Sequence, residues 1–319
     1  MQVSHKRLRL GISRCLLGDR VRFDGGHKHD PFITETWGEF FEFVPICPEV
    51  EVGMGVPREC VRLVGHPENP RMVGIASETD WTARMQKYAN QRVQELAAQQ
   101  LHGFILKNNS PSCGLARVAI FGDRGRPQKQ GRGLFAAVLM RRIPLLPVEE
   151  ETRLHRTELR ENFIERVFAF ARWRELLRRH PRAEDIVSFH TRHKCTLMAH
   201  HPQEYRQLGR LVATAGQIGT KQLIEEYGAV FMSIMKHIAT RRKHANVLYH
   251  LLGFLKQRIE ASDRAELVEC IESYRRGDLP LLVPMTLLRH HFRQHPVPWV
   301  MEQTYLNPCP AEMLLRNHA

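Results

Sequence analysis

The chain has 319 residues, 43% of them hydrophobic and 25% charged, with a formal net charge of +13. That length suits two cores of ordinary size, while no apolar run reaches the roughly 18 to 20 residues of a bilayer span and the start Met-Gln-Val-Ser-His-Lys-Arg lacks the apolar stretch of a signal peptide, so a cytoplasmic protein without a membrane anchor is expected. Seven cysteines, odd in number and without close pairs, argue against a secreted disulfide framework, and a pI near 9.8 favours a polyanionic partner, RNA or DNA.

Taken in chain order, residues 7–13 alternate with Leu8, Leu10 and Ile12 on one side, which predicts a strand ending just before Cys15. A loop rich in glycine and charge follows, and Pro31 opens a predicted helix to about residue 41. Residues 43–46 form a second strand that delivers Cys47. Residues 48–79 read as loop with minor strands at 61–64 and 71–75, and Asp80 as the N-cap of a helix to about residue 101, with Met85, Tyr88, Val93 and Leu96 on one face. Residues 104–107 are the next strand, followed at once by the polar run 108–114, Asn-Asn-Ser-Pro-Ser-Cys-Gly. A strand at 118–122, a basic loop at 125–133, a helix at 134–142 and a strand at 144–148 complete the first half. Strands alternating with helices predict an α/β N-terminal domain, residues 1–150, with a mainly parallel, Rossmann-like sheet.

From about residue 152 the pattern takes the helical period. Phe163, Val167, Phe170 and Leu177 make one stripe, Tyr205, Leu208, Val212 and Ala215 another, and Val230, Ile234 and Ile238 a third; Val247, Leu251, Leu255 and Ile259, then Leu267, Ile271 and Tyr274, extend the series. An all-α C-terminal domain over residues 151–319 is expected. It holds 13 of the 18 histidines and 26 Lys+Arg against 18 Asp+Glu.

Cys15, Cys47 and Cys113 each follow the end of a predicted strand, and ligand sites of parallel sheets form outside the carboxyl ends of strands. Scattered cysteines are commonly unrelated buried thiols. Polar loops bearing Pro and Gly, such as Cys47-Pro48-Glu49 and Ser110-Pro111-Ser112-Cys113-Gly114, place a thiol nearer a surface. Three thiolates suit zinc with a bound water, or a [4Fe-4S] cluster whose fourth iron stays open as a Lewis acid for a thiocarbonyl sulfur. Glu49 is then a candidate for activating water or moving a proton.

Ser13-Arg14-Cys15-Leu16-Leu17-Gly18, Phe23-Asp24-Gly25-Gly26, Cys47-Pro48-Glu49 and Ser110-Pro111-Ser112-Cys113-Gly114 together resemble the thiouracil desulfidase (TudS) family over about residues 6–149. The resemblance implies a [4Fe-4S] cluster held by Cys15, Cys47 and Cys113, an acidic catalytic residue at Glu49 and an active-site serine at Ser110, with C=S replaced by C=O, sulfide released and no redox cofactor. Val50-Glu51-Val52-Gly53 departs from the Leu-Gly-Gly type of continuation in stand-alone members, which makes Glu51 a second candidate acid; Ser112 is likewise an alternative to Ser110. The second half, through His193-Lys194-Cys195-Thr196 and Tyr205-Arg206-Gln207-Leu208, resembles a YbgA-type domain. Fusions of the two are similar to the tRNA thiouridine desulfidases (RudS), which implies 4-thiouridine in tRNA as substrate, with free thiouracil or a thionucleoside as the alternative. The competing class is a non-catalytic nucleic-acid-binding protein with a structural metal.

Basic groups offered for phosphate contact are Arg126, Lys129 and Arg132 in the first half, and Arg178, Arg179, Arg192, Lys194, Arg241, Arg242 and Lys243 in the second, with Arg172 and Arg174 beside them. Such contacts position RNA without choosing a base. Cys195 with His190, His193, His200 and His201 reads as a histidine-rich helix surface facing RNA or solvent rather than a metal site, Cys270 as core, Cys60 as structural or a spare ligand, and Cys309 as incidental.

Overall fold

In the computed structural model, which describes residues 7–122, 127–310 and 313, the chain divides into two units, Met1–Arg156 and Thr157–Ala319. The first unit runs β1 (Leu8–Ser13), β2 (Phe41–Ile46), α1 (Pro48–Glu51), β3 (Val61–His66), β4 (Asn69–Gly74), α2 (Thr82–Ala98), β5 (Gly103–Leu106), β6 (Val118–Phe121), β7 (Pro127–Gly131), α3 (Leu134–Arg142), β8 (Val148–Glu150) and α4 (Glu151–Leu154).

β2, β1, β5 and β8 form one sheet in that order, every pair parallel, as the alternation predicts. Leu10, Ile12, Phe104, Ile105 and Leu106 are buried, so the central strands are nearly continuous apolar runs. Gly11 lets β1 and β5 approach: a Cβ there would lie 2.3 Å from the Phe104 ring. α2 buries Met85, Ala89, Val93 and Leu96, and α3 buries Phe135, Ala136 and Leu139. Since β1 is followed on one side by β2 and on the other by β5, chain order reverses between β1 and β5, and a ligand crevice opens at such a switch point.

Three expectations change. The helix from Pro31 is a single wide turn, Phe32–Thr36, and β2 already begins at Phe41. β-branched and aromatic residues fill this stretch, and Thr34 Oγ1 lies 3.3 Å from the carbonyls of Asp30 and Pro31, a local bond that competes with helix. Second, the minor strands β3 and β4 join β6 and β7 in a separate sheet, order β4-β3-β6-β7, and residues 127–131 of the presumed basic loop are its exposed edge. Pro127-Gln128-Lys129-Gln130 has no apolar alternation, so only pairing with β6 makes it a strand. Third, the strand foreseen at 144–148 lies at Val148–Glu150, and Glu149, Glu150 and Glu151 are buried inside the first unit.

The second unit is helical: α5 (Thr157–Leu177), α6 (Ala183–His200), α7 (Pro202–Ala213), α8 (Thr220–Met235), α9 (Arg241–Gly253), α10 (Ala261–Arg276), α11 (Leu282–Gln294) and α12 (Pro298–Met301), with no strand among its described residues. Val247, Leu248, Leu251, Leu267, Ile271, Tyr274, Met285 and Leu288 pack into one core. Ile238 lies beyond the end of α8 and is exposed. The histidine-rich face is not a surface: His190, His193 and His200 are buried, as is Cys195. His193 stacks on Phe189 with ring centroids 4.0 Å apart. Burial pushes His190 down to about 4 and His193 to about 3, so both are neutral core residues at physiological pH. Cys270, expected in the core, is only partly buried. No described helix is long and apolar enough to cross a membrane.

Candidate active site

The three cysteines converge. β1 runs into a tight turn, Arg14–Leu17, that carries Cys15 and ends at Gly18, whose φ of 98° is glycine's left-handed territory. β2 ends at Cys47, the N-cap of α1, with Pro48 in the first helical position where its missing N–H costs nothing. β5 leads through Lys107 into the loop bearing Ser110, Ser112 and Cys113. All three thiols line one cavity of about 410 Å³, together with Glu49, Arg58, Ser110 and Ser112.

The third loop is held by the start of α3. Gly133 N–H donates to Gly114 O at 2.8 Å, Leu134 N–H to Pro111 O at 3.0 Å and Ala136 N–H to Ser112 O at 3.2 Å, so helix-end donors that lack partners within the helix are satisfied by the loop. The approach is close enough to exclude any side chain at Gly133, where a Cβ would sit 2.4 Å from the Ser112 carbonyl carbon and oxygen.

Glu49 is the hub of the polar set. Its Oε1 accepts from Ser112 Oγ at 2.6 Å and lies 3.4 Å from Ser110 Oγ. Its Oε2 takes Arg58 Nη2 at 2.5 Å and Nε at 3.2 Å. These two side chains are only 13% and 6% exposed, so the pair is shielded from bulk water. Arg58 Nη1 also donates to Val21 O at 3.0 Å and Gly55 O at 2.9 Å, tying the first two cysteine loops together. Ser110 Oγ accepts the backbone N–H groups of Ser112 at 3.2 Å and Cys113 at 3.1 Å, which leaves its own hydrogen for Ser112 Oγ, 2.9 Å away, for Glu49 Oε1 at 3.4 Å, or for a bound molecule. Glu51 points elsewhere: it accepts from Cys47 N–H at 2.9 Å and Tyr88 O–H at 2.7 Å and pairs with Arg92 at 3.3 Å. Of the two candidate acids, Glu49 faces the cavity; of the two serines, both do.

Burial raises all three thiols: Cys15 to about 11, helped by the neighbouring Cys47, with Cys47 and Cys113 also pushed up. Without a cation they are protonated at neutral pH, and a metal would displace those protons. His201, Glu204 and His237 are the described residues that bring three ligand atoms within 4.8 Å of one another, and the three thiols are not among them. Tetrahedral zinc holds its sulfurs about 3.8 Å apart, from Zn–S bonds near 2.3 Å, so the all-sulfur, wider donor set suits an iron–sulfur cluster better than one zinc ion.

Arg58 and Lys107 are cavity residues that sequence reasoning did not single out. Lys107 is bonded to the carboxylate of Glu151 and to Asn108 Oδ1, and Glu151 also accepts Asn108 N–H at 2.8 Å. Cys60 lines the cavity as well. No local motif signals Arg58 or Glu151, because their partners lie 9 and 44 residues away.

The structure does not gather the basic candidates into the cavity. Lys129 lies on β7, Arg132 donates to Leu115 O at 2.9 Å, and Arg126 falls outside the described residues. Arg178 and Arg179 follow α5 and pair with Glu175 at 3.1 and 2.9 Å. Arg192 and Lys194 are partly buried on α6, where Arg192 donates to Ser188 Oγ at 2.9 Å. Arg241 and Arg242 are exposed in the first turn of α9, while Lys243 donates to His200 O at 2.6 Å. Arg172 is partly buried, donating to Asn307 O at 3.3 Å and Pro308 O at 2.5 Å, and desolvation pushes its pKa down to about 10.

The 2-thiouracil desulfurase family matches residues 10–151, and the family DUF1722, of unknown function, matches residues 194–310. YbgA, an uncharacterized protein of Escherichia coli (strain K12), is 33% identical over 133 residues, 41% of this chain and 79% of YbgA. YbbK, an uncharacterized protein of Bacillus subtilis (strain 168), is 29% identical over 133 residues, 40% of this chain and 87% of YbbK. A solved structure of the [4Fe-4S]-dependent thiouracil desulfidase TudS is 29% identical and covers 47% of this chain and 94% of its own, with a TM-score of 0.39. The first match takes in all three cavity cysteines, Glu49, Ser110 and Ser112. The first unit therefore carries a domain that matches the 2-thiouracil desulfurase family, and the chain belongs to the family of YbgA through the DUF1722 domain of its second.

Proposed function

We propose that the protein removes sulfur from 4-thiouridine in tRNA, giving uridine and sulfide. The observation that carries this reading is the convergence of Cys15, Cys47 and Cys113 on one cavity with the Glu49, Ser110 and Ser112 set. Cys15, Cys47 and Cys113 would hold a [4Fe-4S] cluster, which would supply Lewis acidity for the thiocarbonyl sulfur.

The protein's own groups do the rest. Glu49, paired with the Arg58 guanidinium and hydrogen-bonded by the Ser112 hydroxyl, accepts a proton from the water that attacks the thiocarbonyl carbon. Glu49 passes that proton to the departing sulfur and takes up the hydroxyl proton as C=O forms and the C–S bond breaks, so C=S plus water becomes C=O plus hydrogen sulfide, both water protons ending on sulfur and no electron gained or lost. Ser110, its oxygen saturated by two backbone donors, turns its hydrogen toward the pyrimidine and orients it.

For the RNA, a net charge of +13 favours phosphate binding. Arg241, Arg242 and Lys243 crowd the first turn of α9, where the helix dipole disfavours cations and favours anions; a phosphate there relieves both. Bringing 4-thiouridine to the cavity requires turning it out of its stack, at a cost of a few kcal/mol that backbone contacts offset. A second reading, free 2-thiouracil or a thionucleoside as substrate, is favoured by the matched family's description and by a cavity of about 410 Å³, ample for one base.

The test is to purify and reconstitute the protein without oxygen, measure iron and acid-labile sulfide, incubate it with thiolated tRNA and digest to nucleosides. Loss of 4-thiouridine with matching sulfide release is expected. Persistence of 4-thiouridine, or zinc in place of iron, overturns the reading; faster turnover of free 2-thiouracil than of tRNA selects the second.

A further inference from the structure

The helical unit contains a second group of ligand-type side chains, unrelated to the cysteine cavity. His201 is the N-cap of α7, Glu204 stands in that helix's first turn, and His237 follows the end of α8. Glu204 Oε1 lies 3.3 Å from His237 Nε2 and 3.7 Å from His201 Nδ1, and the two imidazoles have centroids 4.4 Å apart. One ligand atom from each residue falls within 4.8 Å of the other two.

The backbones behind these side chains are held in place. His201 N–H donates to Leu197 O at 2.9 Å, closing the end of α6. The His237 carbonyl accepts Asn162 Nδ2 at 3.1 Å and lies 2.6 Å from His200 Nδ1, both partners buried. A site whose outer contacts are already made loses little freedom on loading. The three side chains are 26%, 28% and 43% exposed, so an ion can enter and keep a water.

The donor chemistry narrows the ion. Two imidazoles and one carboxylate form a zinc-type set with a fourth position open. Magnesium and calcium want several oxygens, and this set offers a single carboxylate. Around zinc the donor atoms would stand about 3.3 Å apart, from bonds of about 2.0 Å, so the present spacing closes with small side-chain movements. His201 Nδ1 at present accepts Glu204 N–H at 3.1 Å, and loading exchanges that cap bond for a metal bond.

We propose that His201, Glu204 and His237 form a binding site for a divalent transition-metal ion of the zinc class, clipping the start of α7 to the segment between α8 and α9. This segment leads into Arg241 and Arg242, so the ion fixes the chain just ahead of that basic turn.

The test titrates zinc chloride calorimetrically into the full-length protein as wild type and as Cys15→Ser, His237→Ala and Glu204→Gln. A binding event of one zinc per chain is expected to persist in Cys15→Ser, whatever the cysteine cavity of the wild type takes up, with magnesium chloride giving no binding. Affinity should fall at least about 100-fold in His237→Ala and Glu204→Gln, the upper end of what an outer-contact loss costs elsewhere. Glu204→Gln keeps the side chain's volume, and His237 is solvent-facing, so zinc-free thermal melts of both should match wild type. Zinc affinity unchanged in both variants, loss of the event in Cys15→Ser, or equal binding of magnesium overturns the proposal.

Discussion

Replacing Glu49 by Gln removes one charge and little else, which makes it a sharp probe of the cavity. The amide can keep an oxygen facing Ser112, now 2.6 Å away, but then sets an NH₂ group against the Arg58 guanidinium, now 2.5 Å from the carboxylate. Stranding one member of a buried pair costs about 3–5 kcal/mol. Arg58 keeps its bonds to Val21 O and Gly55 O, so the loss here should fall at or below the low end, about 2–3 kcal/mol. Removing a general base lowers turnover by about 10²- to 10⁴-fold. The assay is sulfide release at saturating substrate, paired with iron content and a thermal melt of the same samples. Glu51→Gln serves as comparison, since Glu51 holds Cys47 N–H and Tyr88 rather than facing the cavity, and it should retain turnover per bound iron. If Glu49→Gln keeps its iron and turns over within about threefold of wild type, Glu49 is not the proton acceptor and the assignment fails.

Gly133→Ala should displace the Ser112 backbone, because the new methyl would begin 2.4 Å from it; iron incorporation is expected to drop in step with activity, and full incorporation with full activity would refute the packing argument. In metal-free protein Cys15, raised from 9.0 to about 11, should react with iodoacetamide more slowly than a free cysteine near pH 8 and accelerate until about pH 11. Because the folded state holds this proton where the unfolded chain releases it, the metal-free first unit should also lose stability as pH rises from about 9 to about 11, read by denaturant midpoints. The double variant Arg241→Ala, Arg242→Ala should weaken tRNA binding and flatten its salt dependence by about one to two phosphate contacts while leaving turnover of free thiouracil unchanged; an unaltered salt slope would remove α9 from the RNA contact.

Much of the first unit is legible because alternation and the glycine and proline loops mark strand ends, and the three cysteines stand at those ends. The second sheet is not, because β7 has no apolar pattern of its own and exists through its pairing with β6. Choosing between Glu49 and Glu51 needs the fold, since two residues' spacing on one short helical turn sends one carboxylate into the cavity and the other toward α2. The buried histidines carried a readable signal. Ile186, His190, His193, Leu197 and His200 recur at the spacing of one helix face, so counting imidazole as polar hid an inward-facing stripe. A titratable ring is half hydrocarbon, and here the face it shares decides its environment.

The run Glu149-Glu150-Glu151 has a practical consequence for anyone separating the two halves. Each carboxylate fastens something different: Glu149 holds Arg153 at 2.6 Å, Glu150 accepts Leu115 N–H at 2.8 Å, and Glu151 grips Asn108 N–H and Lys107. A cut at residue 150 would spare the sheet yet discard Glu151, unmooring the strand exit that leads to Ser110, Ser112 and Cys113. An excised desulfidase unit that fails to load iron would then report a misplaced scissor rather than dependence on the helical half; ending it at Arg156 keeps that mooring.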